Sequence, residues 1–448
     1  MNVYLDYLGC RLNEAELQQW SADFSRHGID VTHEVSQADL IVLNTCAVTG
    51  EAARKSRQTI RKLHKKSPAA KLVVTGCYAS LEAEKVADIF GVDGVINNGD
   101  KDNLVNLIVD ELSLPTTTVQ ATEPGETAFI LQNRDRAFIK VQDGCRYRCS
   151  YCIVTIARGN EKSRPIKELV AEINQLYKNG VYEIVLTGVH VGGYGSDIDS
   201  NLYQLVATIL HETEIPRIRF ASVEPWDLPE NFFDLFENSR LMPHMHLPLQ
   251  SGSDSILKKM SRRCRTEEFA RLVKKAKSKV AGFNVTTDVI VGFPGESEQE
   301  WQKSIDFIKS IPFGHIHIFS FSPRQGTRAA NFAEIVDNVT KKNRSKELHE
   351  LSSQLKQQQL QVMVNQNCQV LIESDYELLA DGHFSYWGHT ENYHKINLIS
   401  DDITLGGSIV EVLVTGVHQS NHCLETSMVR MLKPSLKSAS LPVLQICS

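Results

Sequence analysis

Apolar residues fall in short runs separated by helix-length amphipathic stretches. Within residues 1–112 the runs 2–7, Leu40-Ile41-Val42-Leu43 and 71–75 alternate with such stretches, which predicts a small parallel α/β domain. Residues 113–134 read as a linker: Ser113 to Glu126 carries Pro115, three consecutive threonines, Pro124 and Gly125 and has no apolar period. Strand candidates recur at 137–142, 182–187, 217–221, 244–249, 284–291 and 315–320, each followed by a helix-length segment such as 166–179 or 298–310. Six strands alternating with helices over 135–365 predict a partial (β/α)6, TIM-like barrel with its reactive groups at the C-terminal strand ends. A charged, Gln-rich helix is expected at 341–364. Residues 366–433 then turn to strands rich in Val, Ile and Leu, punctuated by Gly382, Gly406-Gly407 and Asn421, as in a small all-β barrel. Residues 434–448 read as a mobile tail. The predicted class is α/β with a small all-β unit at the end.

Composition narrows the picture. The chain of 448 residues is 42% hydrophobic and 23% charged, with mean hydropathy -0.22, which excludes disorder as the main state. No apolar run approaches the roughly 18 residues of a membrane span, and the start Met1-Asn2-Val3-Tyr4-Leu5-Asp6 lacks a signal-peptide layout. A cytoplasmic enzyme with no membrane partner is expected. In that reducing setting ten cysteines are read first as metal ligands or catalytic thiols rather than disulfides. The net charge of -6 decides nothing about nucleic acid, because binding depends on local patches.

The densest chemistry is Gly144-Cys145-Arg146-Tyr147-Arg148-Cys149-Ser150-Tyr151-Cys152, just after the first barrel strand. Three thiolates at these spacings can wrap one small metal centre. With no fourth cysteine near, a [4Fe-4S] cluster there keeps one iron open for a non-protein ligand; a zinc knuckle or three unrelated buried thiols are the alternatives. Cys10, Cys46 and Cys77 each directly follow a predicted parallel strand, and in a parallel sheet such turns gather on one edge. One such cysteine is ordinarily an inert small hydrophobe. Three at matched turns point to a second three-cysteine iron–sulfur site. Cys264, Cys368, Cys423 and Cys447 share no spacing and read as ordinary thiols.

Taken together these motifs resemble the radical S-adenosylmethionine (radical-SAM) methylthiotransferases. The resemblance runs through Gly9-Cys10-Arg11-Leu12-Asn13, Asn44-Thr45-Cys46, Gly76-Cys77, the Cys145 loop with Tyr151 before its last cysteine, Ala157-Arg158-Gly159 with Ser163-Arg164, and Leu247 to Ser253. Lys55-Ser56-Arg57-Gln58, Gly188 to Gly195 and Ser222-Val223-Glu224-Pro225 look most like the branch that acts on N6-threonylcarbamoyladenosine in tRNA. Thr155 departs from a proline frequent in the family, so local packing there should differ.

The resemblance implies an N-terminal auxiliary-cluster domain, a radical-SAM barrel and a C-terminal TRAM (OB-like) domain. It implies two [4Fe-4S] clusters, on Cys10, Cys46 and Cys77 and on Cys145, Cys149 and Cys152, with S-adenosylmethionine on the open iron of the second. It further implies insertion of a methylthio group at carbon 2 of the modified adenine at position 37, beside the anticodon. No catalytic side chain beyond the cluster ligands and no metal beyond iron is expected. The partners would be tRNA and an electron donor such as flavodoxin or ferredoxin.

Several residues carry two readings. Gly188 ends the second barrel strand, where small residues admit a ligand or simply make a turn; the family reading gives this strand end to the cofactor's amino group. Ile290 lies in the run ending the fifth strand, where related barrels lean the adenine on apolar backbone. Gln250, Ser251 and Arg164 are either polar contacts to the cofactor or core hydrogen-bonding groups. Glu224 reads as a substrate or cofactor contact, or as a structural carboxylate, and Glu296 as the start of the next helix. The pairs His244/His246 and His315/His317 have the strand spacing of metal ligands but are more often hydrogen-bonded core residues. Arg54, Arg57, Arg61 and Lys65 share one helix face, either solvated or contacting tRNA phosphates. The stretch from Lys258 to Lys279 is also basic, and Tyr376, Phe384, Tyr386, Trp387 and Tyr393 serve RNA stacking or a β-barrel core. Rival readings are methylthiolation of isopentenyladenosine in tRNA or of a ribosomal-protein aspartate, a non-catalytic iron–sulfur RNA-binding or electron-transfer protein, and a metal-dependent barrel hydrolase.

Overall fold

The computed structural model describes residues 1–111, 135–418 and 422–436. The expected linker, most of the expected tail and Cys447 lie outside them.

Strands β1 (Asn2–Tyr7), β2 (Asp30–Thr32), β3 (Leu40–Thr45), β4 (Lys71–Gly76) and β5 (Gly94–Ile96) form a parallel sheet in the order β2-β1-β3-β4-β5. The sequence pattern predicted β1, β3 and β4 only. The two edge strands are three residues each, too short to impose an alternation. β3 is buried along its whole length between two layers of helices, as a central parallel strand must be.

The central unit has β6 (Arg136–Lys140), a small β7–β8 pairing (Gln142–Asp143 with Lys162–Ser163), β9 (Glu183–Thr187), β10 (Arg217–Phe220), β11 (His244–His246), β12 (Asn284–Val291) and β13 (Phe313–Ser320). Two parallel three-stranded sheets, β10-β9-β6 and β11-β12-β13, are joined by parallel bridges Ile218↔Leu241 and Ser222↔His246. The result is the partial barrel, around one large apolar core containing Ile139, Leu186, Phe220, Val285 and Trp301. β11 is shorter than the predicted 244–249 because the chain beyond it runs into the turn at Gln250.

The long helix Asn338–Gln361 leads to β14 (Asn367–Leu378), β15 (Phe384–Thr390), β16 (Lys395–Ser400), β17 (Ile409–His418) and β18 (Cys423–Lys433), which close into a barrel in the order β14-β15-β16-β18-β17. Tyr376, Phe384 and Tyr386 pack on one another inside it, and Trp387 lies under the Lys395 ammonium at 3.9 Å. Tyr393 leaves this barrel and stacks between His389 and His244, at 4.7 Å from each ring. One ion set and one apolar contact fasten the units. At the N-terminal strand ends, the buried Glu183 carboxylate binds Arg217 and Arg219 at 2.8 Å each, and their remaining N–H groups donate to the backbone carbonyls of His389, Thr390 and Glu391. On the other side, the helix Arg11–Arg26 lies against the barrel through Ala15, Phe138 and Val185.

Candidate active site

β1, β3 and β4 are hydrogen-bonded neighbours, in register Tyr7↔Asn44 and Thr45↔Gly76, so Cys10, Cys46 and Cys77 leave one sheet edge side by side. The approach is tight. Gly9 has φ +101°, and a Cβ there would sit 2.6 Å from Cys46 Sγ, so only glycine lets the Cys10 turn close on Cys46. Asn13 fixes the edge by donating to Leu8 O at 2.7 Å and Thr45 O at 3.3 Å, while the Ser56 hydroxyl donates to Cys46 O at 3.0 Å.

Cys145, Cys149 and Cys152 occupy the loop after β6 and β7. Cys145 N–H donates to Gly159 O at 3.0 Å, and Gly144 (φ +68°) has Asn160 O where a Cβ would go. Thr155 donates to Tyr147 O at 2.8 Å, a loop-closing bond a proline there cannot make. Val154 N–H points at Cys152 Sγ (3.4 Å), and Arg262, under Trp226 at 4.3 Å, hydrogen-bonds Cys149.

Both triads line one cavity of about 730 Å³. The nine described cysteines form no disulfide. Burial pushes the thiols up, Cys46 and Cys152 to about 11 and Cys145 to about 12, so binding a cation there must displace protons. Two thiol triads on one cavity suit soft, thiolate-bound iron, and among the described residues no further cysteine lines that cavity.

A buried ion network joins the triads from below. Glu16, on the same helix as Asn13, accepts from Lys101 Nζ at 2.6 Å, Asn44 Nδ2 at 2.8 Å and Arg158 Nη1 at 2.9 Å. Arg158 ends the short helix after the Cys145 loop, and it also reaches Asp143 at 2.9 Å and Asn13 at 2.7 Å. A single guanidinium thus ties the barrel loop to the helix that follows Cys10.

Residues 139–308 match the Radical SAM superfamily, and residues 2–97 match the Uncharacterized protein family UPF0004. Over 421 residues the chain is 33% identical to the threonylcarbamoyladenosine tRNA methylthiotransferase MtaB of Bacillus subtilis, covering 91% of this chain and 93% of that protein. The chain belongs to the radical-SAM methylthiotransferases. It is also 30% identical over 434 residues to a tRNA-2-methylthio-N(6)-dimethylallyladenosine synthase of Thermodesulfovibrio yellowstonii, covering 95% of this chain and 98% of that protein. Among solved structures, the radical S-adenosylmethionine methyltransferase TsrM of Kitasatospora setae aligns with TM-score 0.54 at 14% identity, over 73% of this chain and 77% of that one, a likeness of fold.

In this methylthiotransferase, Gly188 and Gln250 line the cavity, and Gln250 holds a left-handed φ of 75°. The other expected cofactor contacts lie outside the lining. Ser251 bonds Ser304 and Ser253 in the core, Arg164 pairs with Glu172 and donates to Lys140 O, and Ile290 packs with Ile256, Met260 and Phe293. Glu296 receives Gly292 N–H and Arg344, so it is a structural carboxylate ahead of the helix Glu298–Ser310.

Of the paired histidines, buried His244, half-buried His246 and exposed His317 line the cavity, and His315 is half-buried beside them. His244 and His246 both bond the Thr286 hydroxyl, His246 pairs with Asp288 at 3.2 Å, and burial pushes His315 down to about 4. Among the described residues the one group of His, Cys and carboxylate atoms close enough to share a metal ion is Cys145, Glu161 and His190. His190 was not singled out from sequence, yet it is buried, with Nδ1 2.5 Å from Glu161 and Nε2 2.7 Å from Asp227. Burial opposes its charge, but the Asp227 bond, Glu224 and Glu161 outweigh that and raise its pKa. Both ring nitrogens are therefore occupied by carboxylates, which leaves no lone pair for a metal. The signal was a lone histidine between the glycines of Gly188 to Gly193.

On the helix Gly50–Lys66, Arg54, Arg61 and Lys65 are exposed, and half-buried Arg57 lies over the ring of Tyr78, next to Cys77. Arg54 meets Glu51 only at 3.9 Å, so the face keeps a net positive charge. No helix of the described residues is long and apolar enough to cross a membrane.

Proposed function

We infer that this chain converts N6-threonylcarbamoyladenosine at position 37 of tRNA to its 2-methylthio derivative. The observation that carries the reading is the opening of both cysteine triads on one cavity, because radical generation and sulfur delivery must meet at one carbon. Cys145, Cys149 and Cys152 would hold one [4Fe-4S] cluster and Cys10, Cys46 and Cys77 a second. When bound, the first supplies the electron that cleaves S-adenosylmethionine and the second holds the sulfur to be transferred.

The chain's own residues do the rest. Gly188 and Gln250 give the cavity wall backbone and amide groups for the cofactor, with Ser251, Arg164 and Ile290 fixing that wall from behind. Arg262 stands beside Cys149, held by its bond to Pro248 O and by the Trp226 ring. The Glu16 and Arg158 network keeps the triads at fixed separation. Arg54, Arg57, Arg61 and Lys65 would contact tRNA phosphates beside Cys77, with the last β-barrel as a second RNA surface. A flavodoxin or ferredoxin would donate electrons, in the cytoplasm.

Mass spectrometry of tRNA nucleosides from a deletion strain tests the reading. Loss of 2-methylthio-N6-threonylcarbamoyladenosine, restored by the gene, is expected. Loss of the methylthio group from isopentenyladenosine instead would favour the activity named for the Thermodesulfovibrio relative.

A further inference from the structure

We propose that Arg11 selects the substrate, its guanidinium receiving the carboxylate of the threonylcarbamoyl group. The inference rests on the reading above and adds the basis of the enzyme's choice among tRNA adenosines.

Five arginines line the cavity: Arg11, Arg136, Arg158, Arg219 and Arg262. Four are committed. Arg158 is bound by Glu16, Asp143 and Asn13, and Arg219 by Glu183 and the carbonyls of Thr390 and Glu391. Arg136 meets Glu183, Glu373 and His389, and Arg262 meets Pro248 O and Cys149 beneath Trp226. Arg11 differs. It has one hydrogen-bond partner, Glu14, through Nη1 at 2.8 Å, and its side chain is 58% exposed. Its guanidinium carbon lies 4.9 Å from the centre of the Phe138 ring, a stacking surface that holds the fork without using its N–H groups. Nε and Nη2 are left to face a ligand. A planar fork with adjacent free donors matches a carboxylate in two-point contact.

The position fits as well. Arg11 directly follows Cys10, one of the triad that would hold the sulfur. In adenine, carbon 2 and the carbon bearing N6 flank the same ring nitrogen, so a substituent on N6 lies beside the carbon that receives sulfur. An arginine next to Cys10 therefore stands where that substituent ends. The groups facing the guanidinium are Glu14, Tyr7 and Tyr393, one carboxyl and two phenols. An isopentenyl group has no acceptor, so it would cover the fork and leave it unpaired, and sites built for a polar group reject such analogues strongly.

The test uses reconstituted full-length enzyme and anticodon stem-loops carrying either threonylcarbamoyladenosine or plain adenosine at position 37. The readout is the ratio of the two dissociation constants. Wild type should prefer the modified loop, and Arg11→Gln should cut that preference by roughly tenfold to a hundredfold, the effect of one lost charge-assisted contact. Arg11→Lys should retain part of it, since it keeps the charge without the fork. A general phosphate contact would weaken both loops alike and leave the ratio unchanged; that result in Arg11→Gln overturns the proposal. If Arg11→Gln does not fold, Arg11→Lys decides: a reduced ratio supports the proposal and an unchanged ratio overturns it. A wild type without preference also overturns it. The methylthiolation reading falls too only if that wild type makes no methylthio product from the modified tRNA.

Discussion

Replacing Glu16 by Gln tests whether the buried ion network holds the two triads in register. The network contains three cations, Lys101, Lys140 and Arg158, and three carboxylates, Glu16, Asp143 and Asp102. Glu16 is the hub, touching all three cations, and with Lys101 it is almost fully buried. Gln keeps the shape but removes the charge, leaving three buried cations against two carboxylates, one of them half exposed. Stranding a buried charge in this way costs about 3–5 kcal/mol, far more than a surface pair.

The pH dependence gives a second reading of the same group. Burial opposes ionisation of Glu16, but Arg158, Lys101 and Lys140 outweigh it and hold the carboxyl well below its ordinary 4.5. A depressed carboxyl stabilises the fold above the unfolded pKa and loses that contribution as pH falls. The gap between wild type and Glu16→Gln should therefore be full at neutral pH and close progressively below 4.5. Urea titration of cluster-free protein at several pH values measures it. In reconstituted enzyme the same variant should cleave more S-adenosylmethionine per methylthio group made, because the triads lose their fixed spacing. A stability difference under about 1 kcal/mol at neutral pH, with unchanged coupling, would refute the reasoning.

Three further outcomes are expected. Anaerobic reconstitution should give about eight irons per chain; changing Cys145, Cys149 and Cys152 together to Ala should remove half and abolish cofactor cleavage, and full iron retention would sink that assignment. Changing Cys10, Cys46 and Cys77 to Ala should leave cofactor cleavage measurable while sulfur insertion stops; methylthio product from this variant would show that the sulfur is held elsewhere. Removing the charges of Arg54, Arg57, Arg61 and Lys65 should flatten the salt dependence of tRNA binding by up to about 0.7–0.9 log–log units per contact, with iron content unchanged; an unaltered slope would mean a merely solvated face.

What could be read from the chain followed from topology. Cys10, Cys46 and Cys77 were legible as a set because a parallel sheet sends every strand end to one edge, and β1, β3 and β4 are adjacent there. The Cys145 loop was legible because its spacing is local. The supports were not. Glu16 stands in the first turns of a helix beside Glu14, where an acid ordinarily faces water, and nothing local says that Lys101 and Arg158 will bury it. Tyr393 has the composition of an RNA-stacking residue in a β-barrel. Its place between His244 and His389 is decided by how that barrel docks. Ser251 and Arg164 carry groups fit for a cofactor, but the neighbours Ser304 and Glu172 engage them first.

Both seams of the radical-SAM barrel are built from a buried glutamate gripping arginines: Glu16 with Arg158 toward the N-terminal sheet, and Glu183 with Arg217 and Arg219 toward the closing β-barrel. Well-packed apolar residues would serve stability as well or better. What ions with fixed hydrogen-bond directions add is a penalty for sliding, since any shift strands a buried charge. For an enzyme that must hold a sulfur source, a radical source and one adenine carbon within a single cavity, resistance to sliding matters more than raw adhesion. Arg217 and Arg219 turn their remaining N–H groups to backbone carbonyls, while Arg136, on the same carboxylate, reaches the Glu373 and His389 side chains. The orientation of the last barrel is therefore tied to its main chain, and through Tyr393 that barrel reaches the same cavity the cysteines line.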